Sequence, residues 1–131
     1  IKGSGIMLNN MLGEEDLNPH GWFSWDAGIR LPSMMAPTAV LKDGHAKLIL
    51  GSAGSNRIRS AITQTIINNL EYGMDLNKSI NSPRTHFEKG VVCMEPSIDE
   101  IIKQEIEKTY ELQYFDDLNV FLVEFKLLME T

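Results

Sequence analysis

The sequence predicts an α+β fold in which antiparallel strands carry packed helices, and three observations predict it. Asp43-Gly44 separates two short apolar runs, and glycine supplies the positive φ that a tight hairpin turn needs. Ile58, Ile62, Thr65, Ile66 and Leu70 recur at helical spacing up to Gly73, a natural C-terminal stop. Near the end, Phe121, Val123, Phe125, Leu127 and Met129 alternate with positions that include Glu124 and Lys126, which is the period-two pattern of a strand with one buried face.

In chain order, residues 5–8 read as a short apolar strand closed by Asn9-Asn10. Residues 13–28 read as a loop, with Pro19, Gly21, the acidic triple Glu14-Glu15-Asp16 and the tryptophans Trp22 and Trp25. Aromatics in such a loop either cover a cleft or anchor the loop to the core. The acidic triple would need partner ligands to hold a metal. His20, His45 and His86 show no ligand spacing with it, so it reads as solvated or helix-start charge.

Residues 39–41 and 46–50 are the hairpin strands. Beyond the helix that follows, Asp75 caps a short turn carrying Leu76 and Ile80, which must stop before Pro83, because the residue ahead of a proline is pushed out of helical conformation. Residues 85–87 and 91–95 read as strands around Lys89-Gly90. Ser97-Ile98-Asp99-Glu100 has the form of a capping box, and Ile98, Ile101, Ile102, Ile106 and Tyr110 mark one buried face of a second helix. Strands over 112–115 and 120–129 complete the chain around Asp116-Asp117. No internal repeat or low-complexity linker interrupts it.

A length of 131 residues is one domain's worth of chain, 1–131, enough for an ordinary core. Hydrophobic content of 43% and charged content of 23% are globular values. The net charge of −6 disfavours nucleic acid and anionic membrane as partners, since both would repel it. The apolar run 120–123 is far too short to span a bilayer. No initiator methionine opens the chain, so a processed or excised piece is expected. The single cysteine, Cys93, lies in an apolar run with no histidine nearby in sequence. It reads as a buried structural thiol and leaves the compartment open.

Gly51-Ser52-Ala53-Gly54-Ser55-Asn56-Arg57 joins the second hairpin strand to the helix. A small-residue loop at a helix start can hold an anion or a developing oxyanion, because helix dipole and backbone donors act together. It can equally cradle a phosphate, or merely let the chain turn under close packing. It is neither a Walker loop, lacking Gly-Lys-Ser/Thr, nor the Gly-x-Gly-x-x-Gly dinucleotide fingerprint.

Four blocks, in order, carry a resemblance: GSGIMLNNML at 3–12, RLPSMMAPT at 30–38, LGSAGSNRI at 50–58 and YGMDLNKSINSPRTH at 72–86. Together they resemble the small subunit of the γ-glutamyltranspeptidases, over the chain from its start to about Glu95. The resemblance implies a share of the four-layer αββα sandwich of N-terminal-nucleophile hydrolases. In that family a precursor cuts itself before a threonine, whose freed α-amine then serves as base for its own hydroxyl. That threonine precedes the Gly-x-x-Leu-Asn-Asn block, which places it upstream of Ile1.

What the resemblance assigns to this chain is the oxyanion hole and the substrate-binding wall. The family's paired glycines, whose backbone N–H groups form the oxyanion hole, fall on Gly54 and Ser55. Its serine pair, which binds the α-carboxylate of the glutamyl group, falls on Pro32 and Ser33. Its α-amino contacts fall on Met11 and Glu14. Methionine cannot bind an ammonium and proline has no hydroxyl, so two contacts are lost. An enzyme short of contacts to a zwitterionic head group accepts other acyl groups more readily. The usual Gly-rich strand and Asp-Pro-Arg motif are absent after Val120.

The resemblance therefore implies part of an enzyme that hydrolyses or transfers γ-glutamyl amides such as glutathione, with no cofactor and no metal. Its expected partners are the remainder of its own precursor, meaning a large subunit and the nucleophile-bearing strand, a small γ-glutamyl or acyl amide, and a further copy in a homo-oligomer. An acylase with a non-glutamyl substrate and a non-catalytic binding or assembly domain stay open as alternatives. Separated from its precursor, such a piece is expected to self-associate or to expose an apolar patch.

Overall fold

A computed structural model of the chain describes residues 1–118. The strand expected over 120–129 lies outside the described residues. Residues 1–34 form one compact unit and the described residues from Met35 onward form another.

The first unit holds two 3₁₀ turns, Met11–Gly13 and Glu15–Leu17, joined end to end at Glu14. Leu17 and Met34 are its buried apolar residues. Asn18 lies beside Leu17 and is also buried, its amide donating to the carbonyls of Leu12 (3.0 Å) and Glu14 (2.7 Å). The loop after it is anchored through Trp25, whose indole N–H donates to Leu17 O at 2.9 Å. Residues 5–8 are not a strand but exposed chain; their own unit contains no strand to pair with, and an unpaired strand leaves its backbone to water.

The second unit opens with β1 (Thr38–Lys42) and β2 (His45–Leu50), which pair antiparallel. Asp43 at φ 52° and Gly44 at φ 80° make the two-residue turn with both φ positive that a right-twisted hairpin favours. Helix α1 (Ile58–Leu70) buries Ile58, Ala61, Ile62 and Thr65, an i, i+3, i+4, i+7 face, and packs against α2. Leu70, expected on that face, is 40% exposed. The chain reverses at Gly73, φ 64°, where Met74 N–H donates to Asn68 O at 3.0 Å. Helix α2 (Leu76–Asn81) then begins under the Asp75 cap, whose carboxylate accepts from Lys78 N–H at 2.8 Å.

A second sheet has the order β3-β4-β5, with β3 (Thr85–Glu88), β4 (Val91–Met94) and β5 (Glu111–Tyr114). β3 and β4 form an antiparallel hairpin around Lys89 (φ 51°) and Gly90 (φ 90°). β4 and β5 run parallel, because helix α3 (Glu100–Glu107) intervenes and carries the chain back to the same end of the sheet. Central β4 buries Val92, Cys93 and Met94, and the Cys93 thiol donates to Gln113 Oε1 at 3.5 Å.

Helix α3 departs from expectation twice. Its cap is Asp99, which accepts from Ile101 N–H at 2.8 Å, while Ser97 sits in the left-handed region at φ 71° and cannot serve. Its apolar residues are also open, with Ile101 77% and Ile102 51% exposed and no residue of the helix buried. Periodicity identifies an apolar face but not what covers it.

One rung beyond the Thr85–Met94 pair, Arg84 and Glu95 are both buried to 1% exposure. Glu95 Oε2 accepts from Arg84 N–H (3.0 Å) and Arg84 Nε (3.3 Å), and Glu95 N–H donates back to Arg84 O (3.0 Å). Burial pushes the Arg84 guanidinium below its ordinary value, while the Glu95 carboxylate acts the other way.

Candidate active-site loop and substrate wall

The loop at 51–57 leaves the end of β2 and enters α1. Gly54 is exposed with φ 122°, a conformation that an L side chain rarely adopts, so glycine is required here rather than merely tolerated. Ser55 follows, and its carbonyl accepts from Ile58 N–H at 3.1 Å, a turn that leads into the helix, whose first bond runs from Ala61 N–H to Arg57 O at 3.0 Å. Its hydroxyl donates to Asn56 Oδ1 at 3.0 Å. Arg57 closes the loop with its guanidinium over the Phe115 ring, 5.1 Å from the centroid. A strand-to-helix loop of this kind lies at the positive end of the helix dipole, where negative charge is favoured.

Asn56 is held in turn. Its amide donates to Glu88 Oε1 on β3 in a short contact. Glu88 Oε2 lies 3.6 Å from His86 Nε2, and His86 Nδ1 lies 2.8 Å from Ser60 Oγ on α1. One turn further, Gln64 grips the outer edge of β3, its Oε1 accepting from Thr85 N–H (3.0 Å) and its Nε2 donating to Thr85 O (2.7 Å). The sequence alone does not reveal this seam, because it joins residues 21 to 32 positions apart. The signal that could have found it is the polar run Asn56, Ser60, Gln64 at spacing four, facing a strand with polar residues at alternate positions.

The expected head-group residues fall in the first unit. Met11 and Glu14 occupy one turn, Glu14 N–H donating to Met11 O at 3.2 Å. Pro32 and Ser33 lie in exposed chain without regular structure ahead of buried Met34. None of the four lines the unit's cleft of about 740 Å³, but their neighbours Leu12, Gly13 and Leu31 do, together with Trp22, Phe23 and Trp25. Gly54 and Ser55 share their loop in the second unit. Among the described residues no cluster of three or more His, Cys, Asp or Glu side chains is placed to hold a metal ion. Nor is any described helix long and apolar enough to cross a membrane.

Comparison with known proteins decides the family. The family model for gamma-glutamyltranspeptidase matches residues 1–119. The chain belongs to the γ-glutamyltranspeptidase family. Within that family it is 36% identical over 93 residues to the glutathione hydrolase proenzyme of Escherichia coli, covering 63% of this chain and 16% of the relative. It is 34% identical over 104 residues to an acylase proenzyme of a Pseudomonas species, covering 79% of this chain and 19% of the relative. The chain thus spans less than a fifth of the length of these relatives, both of which are proenzymes.

Among solved structures, a mutant γ-glutamyltranspeptidase of Helicobacter pylori matches with a TM-score of 0.74 at 26% identity, covering 90% of this chain and 71% of that one. The α+β fold is therefore that of the γ-glutamyltranspeptidases, the N-terminal-nucleophile hydrolase sandwich.

Proposed function

We propose that the protein to which this chain belongs hydrolyses or transfers γ-glutamyl amides such as glutathione. The observation that carries this reading is the loop at 51–57, which sets Gly54 and Ser55, at the family's paired-glycine position, between the end of a strand and the start of a helix. The nucleophile is a threonine upstream of Ile1, with its own α-amine as base. Its hydroxyl oxygen attacks the γ-carbonyl carbon, and the charge that develops on the carbonyl oxygen is met by the N–H groups of Gly54 and Ser55. The amine leaves with a proton, and water or an acceptor amine then takes the acyl group from the threonine.

Ser33 and Glu14 hold the carboxylate and ammonium of the glutamyl head group, while Pro32 and Met11 supply shape only. The partners are the rest of the precursor, which brings the large subunit and the nucleophile-bearing strand, and the small γ-glutamyl amide itself. The test is the full-length gene product, purified, incubated and examined by intact mass and N-terminal sequencing, then assayed on a γ-glutamyl anilide. Two pieces, the second starting at a threonine or serine upstream of Ile1, with anilide cleavage, are expected. A single uncut chain would overturn the catalytic reading. Cleavage only of acyl anilides without the amino-acid head group would overturn its γ-glutamyl part.

A further inference from the structure

The contacts between α1 and β3 form a series. Asn56, Ser60 and Gln64 follow one another at intervals of four and meet Glu88, His86 and Thr85 in that order. A helix rises about 6 Å in four residues and a strand about 6.6 Å in two, so the first step, from Asn56–Glu88 to Ser60–His86, matches in length. His86 and Glu88, two apart, share one face of β3. The carboxylate near His86 Nε2 favours the tautomer protonated there, which leaves Nδ1 to accept from the Ser60 hydroxyl. Every rung of this seam is polar, in a unit whose buried residues are mostly apolar. Hydrogen bonds fix direction where apolar contact tolerates sliding.

The first rung lies ahead of the helix, in the loop. Ser55 Oγ donates to Asn56 Oδ1, and Asn56 Nδ2 donates to Glu88 Oε1. We infer that Glu88 is a positioning residue for the oxyanion loop, holding Asn56 so that the backbone of Gly54 and Ser55 keeps one orientation. Gly54, with its wide conformational freedom, cannot supply that rigidity itself. Glu88 reaches the loop through Asn56, while its other carboxylate oxygen faces His86. Its catalytic consequence rests on the function proposed above, whereas its structural consequence does not.

The test uses the full-length precursor with Glu88→Ala, Glu88→Gln and Asn56→Ala. Hydrogen exchange of the backbone amides at 54–57 is the first readout, with the β1–β2 hairpin as an internal control for general unfolding. Glu88→Ala and Asn56→Ala should each speed exchange at 54–57 and leave the hairpin unchanged, and the double variant should be no faster than either. Glu88→Gln keeps a carbonyl oxygen for Asn56 and should restore slow exchange. On the γ-glutamyl anilide, Glu88→Ala should lower kcat by on the order of 10²-fold, comparable to losing one oxyanion donor, with KM little changed. Unchanged exchange at 54–57 in Asn56→Ala, or equal loss in Glu88→Ala and Glu88→Gln, would overturn the inference. A wild-type precursor without anilide activity would defeat the proposed function, and the exchange pattern would still decide the role of Glu88.

Discussion

Arg84 and Glu95 show how far a single pair can matter. Both are buried to 1% exposure, and the carboxylate answers the Arg84 backbone N–H as well as its guanidinium. Replacing such a pair with apolar residues can be nearly neutral, but removing one partner strands the other's charge, at a cost of about 3–5 kcal/mol. Glu95→Ala should therefore lower the urea midpoint markedly, and Arg84→Met with Glu95→Leu should recover much of it. Equal midpoints for the wild type and Glu95→Ala would show that the ion pair carries no stability. The pair was within reach of the sequence: once Lys89-Gly90 fixes the turn, residues 84 and 95 face each other one rung past the strands. That they are buried was not legible, because burial depends on what covers the rung.

At the scale of elements, the parts that could be read are those whose cause is local. The Asp43-Gly44 turn and the Ile58, Ile62, Thr65 stripe each carry their own reason, and the structure has both. Ser97 and Asp99 are both chemically fit to cap α3, and backbone conformation, invisible in composition, chose Asp99. Of the site, the loop at 51–57 was legible as a strand-to-helix junction, while its tie to β3 needed the pairing of distant segments.

Helix α3 and β5 meet through Tyr114, whose hydroxyl donates to Glu107 Oε1 at 2.8 Å. Desolvation, then the hydrogen bond and charge of Glu107 and the charge of Glu100, push its phenol up to about 12. A phenol whose folded pKa exceeds its unfolded value of about 10 favours the folded state below that pH. The benefit disappears as pH rises through about 12. Glu107→Gln should lower the tyrosinate midpoint in an ultraviolet titration, and an unmoved midpoint would absolve Glu107.

Over the whole molecule, the chain spans less than a fifth of the length of the relatives it matches, and several large apolar side chains lie open on it. Ile101, Ile102 and Phe87 stand more than half exposed, Phe87 in edge contact with Tyr110 at 5.2 Å between ring centroids. Produced on its own, the chain should associate with rising concentration in sedimentation velocity and bind an apolar dye. A dye-silent monomer would mean that the isolated chain covers these side chains itself. Inside the second sheet the molecule also carries a means of timing its own opening. Cys93 lies buried on the middle strand with its thiol on Gln113, so a thiol reagent reaches it only when the packing around that strand opens. With reagent in excess, the labelling rate approaches the opening rate, and at low reagent it reports the open population. One native sulfur thus makes local opening around β4 measurable in the unmodified sequence.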